Sequence, residues 1–117
     1  LRGLVSPSFG DLPGLLRLNL SHNSLEGSLP AELVFSRSIT VLDVSFNHLD
    51  GHLQELQASD TNLPLQVLNI SSNLFTGQFP SSTWQGMKNL VAFNASNNSF
   101  TGQLPTHLCQ LAILGSA

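Results

Sequence analysis

Apolar and polar residues alternate in four short stretches of the chain. In the first stretch Asn19 lies between Leu18 and Leu20, and the same apolar-polar-apolar order recurs as LDV, LNI and FNA. An alternation with a period of two residues is typical of short strands that bury one face. The pattern therefore predicts strands near residues 17–21, 41–45, 67–71 and 92–96, with little helix elsewhere.

Each alternating stretch belongs to a longer phrase that occurs four times. The phrases are LLRLNLSHNSLEGSLP, ITVLDVSFNHLDGHLQ, LQVLNISSNLFTGQFP and LVAFNASNNSFTGQLP, which begin at Leu15, Ile39, Leu65 and Leu90. Asparagines at one matching position are 24, 26 and 25 residues apart, namely Asn23, Asn47, Asn73 and Asn98. Repeats of this length each form one supersecondary unit and bury their apolar faces by stacking. We expect the four strands to stack into one parallel sheet.

These matching asparagines follow the predicted strands, at the point where the chain turns. An amide side chain can both donate to and accept from backbone groups that a turn leaves unpaired. The sequence therefore predicts a structural ladder of Asn23, Asn47, Asn73 and Asn98. An apolar residue and a glycine come next in every phrase, followed in three phrases by a proline, which predicts a turn and a second line of core contacts on the convex side.

The phrases also define the organisation of the chain. Four repeats are predicted at residues 15–38, 39–64, 65–89 and 90–113. Residues 1–14 match the end of a preceding repeat, and residues 114–117 match the start of a further one. Both ends would expose apolar surface without capping repeats, so we interpret the chain as a part of a longer array. The longer second repeat predicts a short helix near residues 54–59.

Charge and composition narrow the range of partners. Charged residues make up only 9% of the chain, and the formal net charge is −3. Scattered basic residues do not form the stripe that nucleic acid or an anionic membrane requires, so both are excluded as main partners. No apolar run reaches the ~18 to 20 residues of a membrane span, and the first residues lack the order of a signal peptide. The single Cys109 has no partner for an internal disulfide.

The sequence offers no combination of residues for catalysis. A nucleophile, a base and an orienting group are needed together, and every candidate serine belongs to a repeat position or a turn. His48 and His52 have the spacing of helical metal ligands, but Gly51 lies between them and makes a helix unexpected. We therefore predict no enzyme activity, no cofactor and no metal site.

Residues that point away from the core on the four predicted strands should line one extended surface, which we call the concave face. Small polar groups with an aromatic ring such as Phe46 suit an extended peptide or a protein surface. The alternative is that this section is a spacer with a solvated face. The candidate ligand residues are Arg17, Asn19, Ser21, His22, Asp43, Ser45, Phe46, Asn69, Ser71, Ser72, Asn94, Ser96 and Asn97.

Four Asn-x-Ser sequons would accept glycans if the chain enters the secretory pathway. They begin at Asn19, Asn69, Asn94 and Asn97. A glycan on any of the first three would occupy the concave face. Either those sites are unused, or ligand binds elsewhere along the array.

The phrase L-x-x-L-x-L-S-x-N-x-L-x-G-x-L-P resembles the plant-specific leucine-rich repeat of secreted and cell-surface receptors, over essentially the whole chain. The resemblance implies a solenoid, a right-handed α/β-type superhelix with a concave parallel sheet and an irregular convex side. The segment LVSPSFGDLPGLLRLNLSHNSLEGSLP is similar to the repeats of receptor-like kinases and receptor-like proteins. The nearest resemblance is to the phytosulfokine and tyrosine-sulfated peptide receptors. In that family a repeat ectodomain binds a secreted peptide, ahead of a membrane helix and a cytoplasmic kinase.

The resemblance therefore implies an extracellular module that binds a secreted peptide or protein ligand, with a co-receptor as a further partner. A sulfated ligand would favour several basic residues on the binding face, where this chain has only Arg17. Two secreted groups without a kinase are alternatives. One is the repeat segment of a grass ice recrystallisation inhibition protein, and the other is a defence protein that resembles polygalacturonase inhibitors.

Overall fold

A computed structural model describes residues 2–52, 63–78 and 89–101 of the chain. One 3₁₀ helix at Pro7–Asp11 and one short helix, α1 at Ala31–Val34, lie in this part. The strands are β1 Arg2–Leu4, β2 Arg17–Asn19, β3 Ser24–Gly27, β4 Val41–Asp43, β5 His48–Gly51, β6 Val67–Asn69, β7 Leu74–Gln78, β8 Ala92–Asn94 and β9 Ser99–Thr101. No helix in the described ranges is long and apolar enough to cross a membrane.

Four of these strands form the parallel sheet that carries the concave face. Its order is β2-β4-β6-β8, with one strand from each predicted repeat. The register places Leu18, Leu42, Leu68 and Phe93 side by side, so the apolar position of one phrase packs beside the same position of the next. The predicted strands and the leucine-rich solenoid with a concave parallel sheet are confirmed.

A second parallel sheet, in the order β1-β3-β5-β7-β9, was not predicted. Its strands follow the ladder asparagines. At these positions the sequence predicted a turn, because each phrase has a glycine there. Gly27 and Gly51 are the last residues of β3 and β5, with φ of 84° and 79°. These two strands therefore end on a left-handed residue that other side chains resist, whereas Gly77, with a φ of 81°, is followed by one more residue of β7.

The core lies between the two sheets, and the stacking of neighbouring repeats buries its side chains. In the third repeat Leu68, Ile70 and Phe75 have no exposed surface. The equivalent Leu18 and Leu20 of the first repeat are 9% and 8% exposed, because β2 has a neighbouring strand on one side only. Full burial of such a side chain contributes roughly 1.5 to 3 kcal/mol, so each repeat depends on its neighbours for stability.

Several predictions made from sequence fall on parts of the chain outside the described residues. They concern the helix near residues 54–59, Cys109, and the apolar positions and boundaries near residues 102–117.

Candidate functional site

Asn73 connects two repeats through its side chain. Its Nδ2 donates to the carbonyl oxygens of Val44, Ile70 and Ser71 at 3.0, 3.3 and 3.0 Å. Its Oδ1 accepts from the backbone N–H of Leu49 in the preceding repeat at 3.1 Å. Asn73 is buried, so its amide pairs backbone groups that water does not reach.

The same arrangement recurs along the array. The Oδ1 atoms of Asn47 and Asn98 accept from the backbone N–H groups of Leu25 and Phe75, each at 3.1 Å. Asn23, in the first described turn, donates to carbonyl oxygens of its own repeat. These bonds fix the end of every concave-sheet strand in one conformation, so the side chains around it recur in the same orientation.

The residue before each ladder asparagine has a left-handed backbone. The φ angles are 57°, 56°, 55° and 57° at His22, Phe46, Ser72 and Asn97. This conformation costs a residue other than glycine roughly 1 to 2 kcal/mol, and asparagine tolerates it best. The four side chains form one row at the edge of the concave face, since His22 stacks on Phe46 and Asn97 Nδ2 donates to Ser72 Oγ at 3.3 Å.

A second row lies on the strands and consists of Asn or Asp side chains that each accept from the serine two residues later. Oδ1 of Asn19 accepts from the N–H and the hydroxyl of Ser21 at 3.0 and 2.6 Å. Asp43 and Asn69 make the same pair of bonds with their own serines. Asn94 accepts from the N–H of the following serine at 2.9 Å. Since two donors point at each Oδ1 of the first three side chains, the outer end of every amide there is its NH₂ group.

The structure brings all the candidate ligand residues onto one surface but exposes them unequally. Ser45, Ser71 and Asn94 are only 3%, 4% and 5% exposed, so their place is to support the strand ends beneath the face. Half-buried candidates are Ser21, Asp43, Asn69, Ser72 and Ser96. Exposed candidates are Arg17, Asn19, His22, Phe46 and Asn97.

Phe46 and Asp43 give the face its most distinctive chemistry. The Phe46 ring is 51% exposed and stacks on His22 with centroids 4.4 Å apart and an interplanar angle of 9°. Asp43 is the acidic residue among the candidates, and Arg17 is the basic one. An exposed ring and a carboxylate three residues apart on one face offer groups that bind a planar hydrogen-bond donor.

Two features of the site were not predicted from the sequence: the pairing of side chains within the second row, and the existence of the row of left-handed residues. The first was detectable, because Asn-x-Ser or Asp-x-Ser occurs once on each strand and two-residue spacing favours such side-chain turns. The second had an incomplete signal in residue type, since His22 and Asn97 are residues that favour a positive φ but Phe46 and Ser72 are not. Alignment of the phrases does place His22 beside Phe46.

The sequons differ in their access to a glycan. Asn94 is buried, while Asn97 is exposed and Asn69 is half-buried. We expect a glycan on Asn97 and an unmodified Asn94 in the secreted, folded protein, as measured by peptide mapping with mass spectrometry. Replacing Asn97 with glutamine should remove that glycan without transferring it to Asn94. A glycan on Asn94 in folded protein would contradict the described burial.

A cavity of ≈ 680 Å³ lies elsewhere, between the 3₁₀ helix and α1. Its lining includes Asp11, Glu32, Phe35 and Arg37, none of which belongs to the concave face. Ser36 also lines it, and the Ser36 hydroxyl donates to the Gly10 carbonyl at 3.0 Å. No group of three His, Cys, Asp or Glu side chains within the described ranges is placed to hold a metal ion.

Comparison with known proteins places the repeat pattern in a family. Two leucine-rich-repeat profiles match the chain, one over residues 1–49 and the other over residues 64–85 and 89–111. The leucine-rich repeat receptor protein kinase MSP1 of Oryza sativa subsp. japonica is 38% identical over 85 residues, which cover 70% of this chain and 7% of that protein. Receptor like protein 27 of Arabidopsis thaliana is 34% identical over 71% of this chain and 10% of its own length.

Among solved structures, the Arabidopsis receptor kinase HAESA in complex with the peptide hormone IDA and the co-receptor SERK1 has a similar fold. The TM-score is 0.83 at 26% identity, over 97% of this chain and 19% of that one. The chain spans only 7% and 10% of the two curated relatives above. The chain thus belongs to the leucine-rich-repeat family, and the relatives that it resembles are plant receptor kinases and receptor-like proteins.

Proposed function

We propose that this chain is a ligand-binding section of a plant cell-surface receptor ectodomain, located outside the cell. Its ligand is a secreted peptide or protein that lies on the concave face. The observation that carries the proposal is the repeated, fixed orientation of hydrogen-bonding side chains on that face. The complex of HAESA with a peptide hormone and a co-receptor supports a peptide ligand and a co-receptor partner here.

The dimensions of the concave face suit an extended peptide. Neighbouring strands lie roughly 4.7 to 4.9 Å apart, so four strands span about 14 to 15 Å. An extended peptide advances about 3.3 to 3.6 Å per residue, and four or five of its residues would cross this distance. Such a peptide would meet one outward side chain of the second row on each of the first three strands, namely Asn19, Asp43 and Asn69.

Replacing four residues of the face together tests this function. Alanine at Arg17, Asp43, Phe46 and Asn69 should weaken binding of peptides selected from a displayed random library by at least about tenfold, because this set removes the basic residue, the acidic residue, the exposed phenyl ring and one amide of the face. Binding is measured by biolayer interferometry on the ectodomain that contains this chain. Circular dichroism of the variant checks that it remains folded.

The matched control replaces four exposed residues that lie off the concave face, Glu26, Glu32, Asp50 and Leu74. Binding to the selected peptides should be unchanged in this control. Unchanged affinity in the folded concave-face variant would leave this section as a spacer and overturn the proposal.

The finer resemblance to phytosulfokine and tyrosine-sulfated peptide receptors stays a prediction. Arg17 is one basic side chain on a face where a sulfate group would favour several. The membrane helix and the kinase are likewise predictions about a longer protein. The absence of catalysis by this section also stays a prediction. Binding of the ectodomain to a secreted fungal polygalacturonase, tested separately from the peptide library, would favour the alternative of a secreted inhibitor.

A further inference from the structure

Asp43 interrupts a row of amides without changing the geometry of the row. Asn19, Asn69 and Asn94 occupy its position in the other repeats, and all four side chains accept from the N–H of the serine two residues later. An asparagine therefore meets the structural requirement of this site. The carboxylate of Asp43 is not needed to form the turn.

The free end of the Asp43 side chain has the opposite hydrogen-bonding character from its neighbours. Both described bonds of Asp43 end on Oδ1, from the N–H and the hydroxyl of Ser45 at 3.0 and 2.6 Å. Oδ2 is then an acceptor, whereas the outer ends of Asn19 and Asn69 are donors. Arg17 lies on the adjacent strand, but no ion pair joins it to Asp43 in the part of the chain that the structure describes.

Phe46, three residues further on, is also more than the fold requires. Ser72 and Asn97 hold the same left-handed position in later repeats with small polar side chains. Phenylalanine there combines an unfavourable φ of 56° with a ring that is 51% exposed. His22 covers one face of the ring at 4.4 Å, and the exposed remainder is open to a ligand.

We propose that Asp43 and Phe46 form a subsite for the guanidinium group of an arginine side chain of the peptide ligand. The planar cation stacks on the exposed part of the Phe46 ring, and one N–H donates to Asp43 Oδ2. Charge complementarity favours this occupant, because Asp43 is the one carboxylate among the candidate residues of the concave face and has no described cationic partner. The subsite rests on the proposed peptide-binding function and names the chemistry that it selects.

Two substitutions test the subsite with residues that the array itself supplies. Asp43→Asn introduces the residue found at 19, 69 and 94, and Phe46→Asn introduces the residue found at 97. Both variants keep the side-chain turn or the left-handed position, so each should fold like the parent. Asp50→Asn is the charge-matched control, since Asp50 is exposed on β5 of the other sheet.

The experiment selects binders from a displayed library of random peptides on the ectodomain that contains this chain. All proteins are produced in the presence of tunicamycin, which blocks N-glycosylation at Asn19, at Asn69 and at the sequon that Asp43→Asn creates with Ser45, so a glycan beside Asp43 does not affect the result. Selected peptides should be enriched in arginine. Replacing that arginine with citrulline, which is neutral and of the same shape, should weaken binding by about tenfold or more.

The variants should respond to this replacement in a characteristic way. Asp43→Asn should lose about tenfold in affinity for the arginine peptide and little for the citrulline peptide, and Phe46→Asn should lose about threefold. Asp50→Asn should match the parent. Peptides without arginine that still depend on the concave face would overturn the subsite and leave the proposed function standing. Arginine peptides whose affinity ignores both substitutions would also overturn the subsite, and a library without any binder would overturn both proposals.

Discussion

Replacing Asn73 with leucine is expected to lower the free energy of unfolding by about 1 to 3 kcal/mol, the cost of leaving a buried polar group unpaired. The N–H of Leu49 would lose its acceptor inside the core. The carbonyl oxygens of Val44, Ile70 and Ser71 would each lose one donor and keep another, from Asn47, Asn98 and Phe46. Leucine cannot replace any of these bonds, although its volume is similar. Chemical denaturation of the parent and the variant measures the difference.

Gln66→Leu is the matched control for this prediction. Gln66 lies in the same repeat and is exposed, and its side chain has no described hydrogen bond. The change of an exposed polar residue to leucine should stay within about 0.5 kcal/mol. Equal losses in the two variants would mean that the ladder contributes no more to stability than an exposed surface position.

Asn73→Asp separates the two halves of the ladder bond. The carboxylate still accepts from the Leu49 N–H, but it places a second oxygen against the carbonyl oxygens of Val44, Ile70 and Ser71. We therefore expect a loss at neutral pH at least as large as with leucine. A stable Asn73→Asp variant would indicate that the donated bonds contribute little.

The concave sheet was predictable because its signal is repeated and local. Leu18, Leu42 and Leu68 recur at matching positions, and a period-two alternation surrounds each of them. Stacking then follows from the need to bury four similar apolar edges. The ladder position was predictable for the same reason, since an asparagine ends every alternating stretch.

The second sheet could not be predicted in this way. A segment such as Ser24–Gly27 has one buried residue, Leu25, and ends in a glycine, so it carries almost no strand signal of its own. It becomes a strand because the ladder holds the turn before it and because β1 and β5 bond to its two edges. These contacts join residues more than 20 positions apart, which local patterns do not record.

The candidate site was likewise predictable only in part. The alternation predicted which residues face outward, because successive strand residues point to opposite sides. The alternation did not show which of them a ligand can reach. Ser45 and Ser71 are buried and follow strands with a neighbour on each side, whereas Ser21 makes the same hydroxyl bond after the edge strand and is half-buried. The stacking of His22 on Phe46 likewise depends on a left-handed backbone, which phenylalanine as a residue type does not indicate.

Gly10→Ala is expected to destabilise the chain by about 3 kcal/mol, at the upper end of the usual cost of overfilling a packed contact. A methyl group at Gly10 would collide with the backbone carbonyl of Glu32, which cannot rotate away as a side chain could. The 3₁₀ helix and α1 would have to separate. That movement would also weaken the bond from the Ser36 hydroxyl to the Gly10 carbonyl at 3.0 Å.

Two companion variants identify the cause of this loss. Gly14→Ala changes a glycine with a φ of 79° and nothing within 4 Å of the added methyl group, so it tests backbone strain alone and should cost about 1 to 2 kcal/mol. Ser36→Ala removes the hydroxyl bond, and its effect should add to that of Gly10→Ala less than fully, because both act on the same contact. Full additivity, or a Gly10→Ala variant no less stable than Gly14→Ala, would show that the close approach of Gly10 to Glu32 does not hold the 3₁₀ helix against α1.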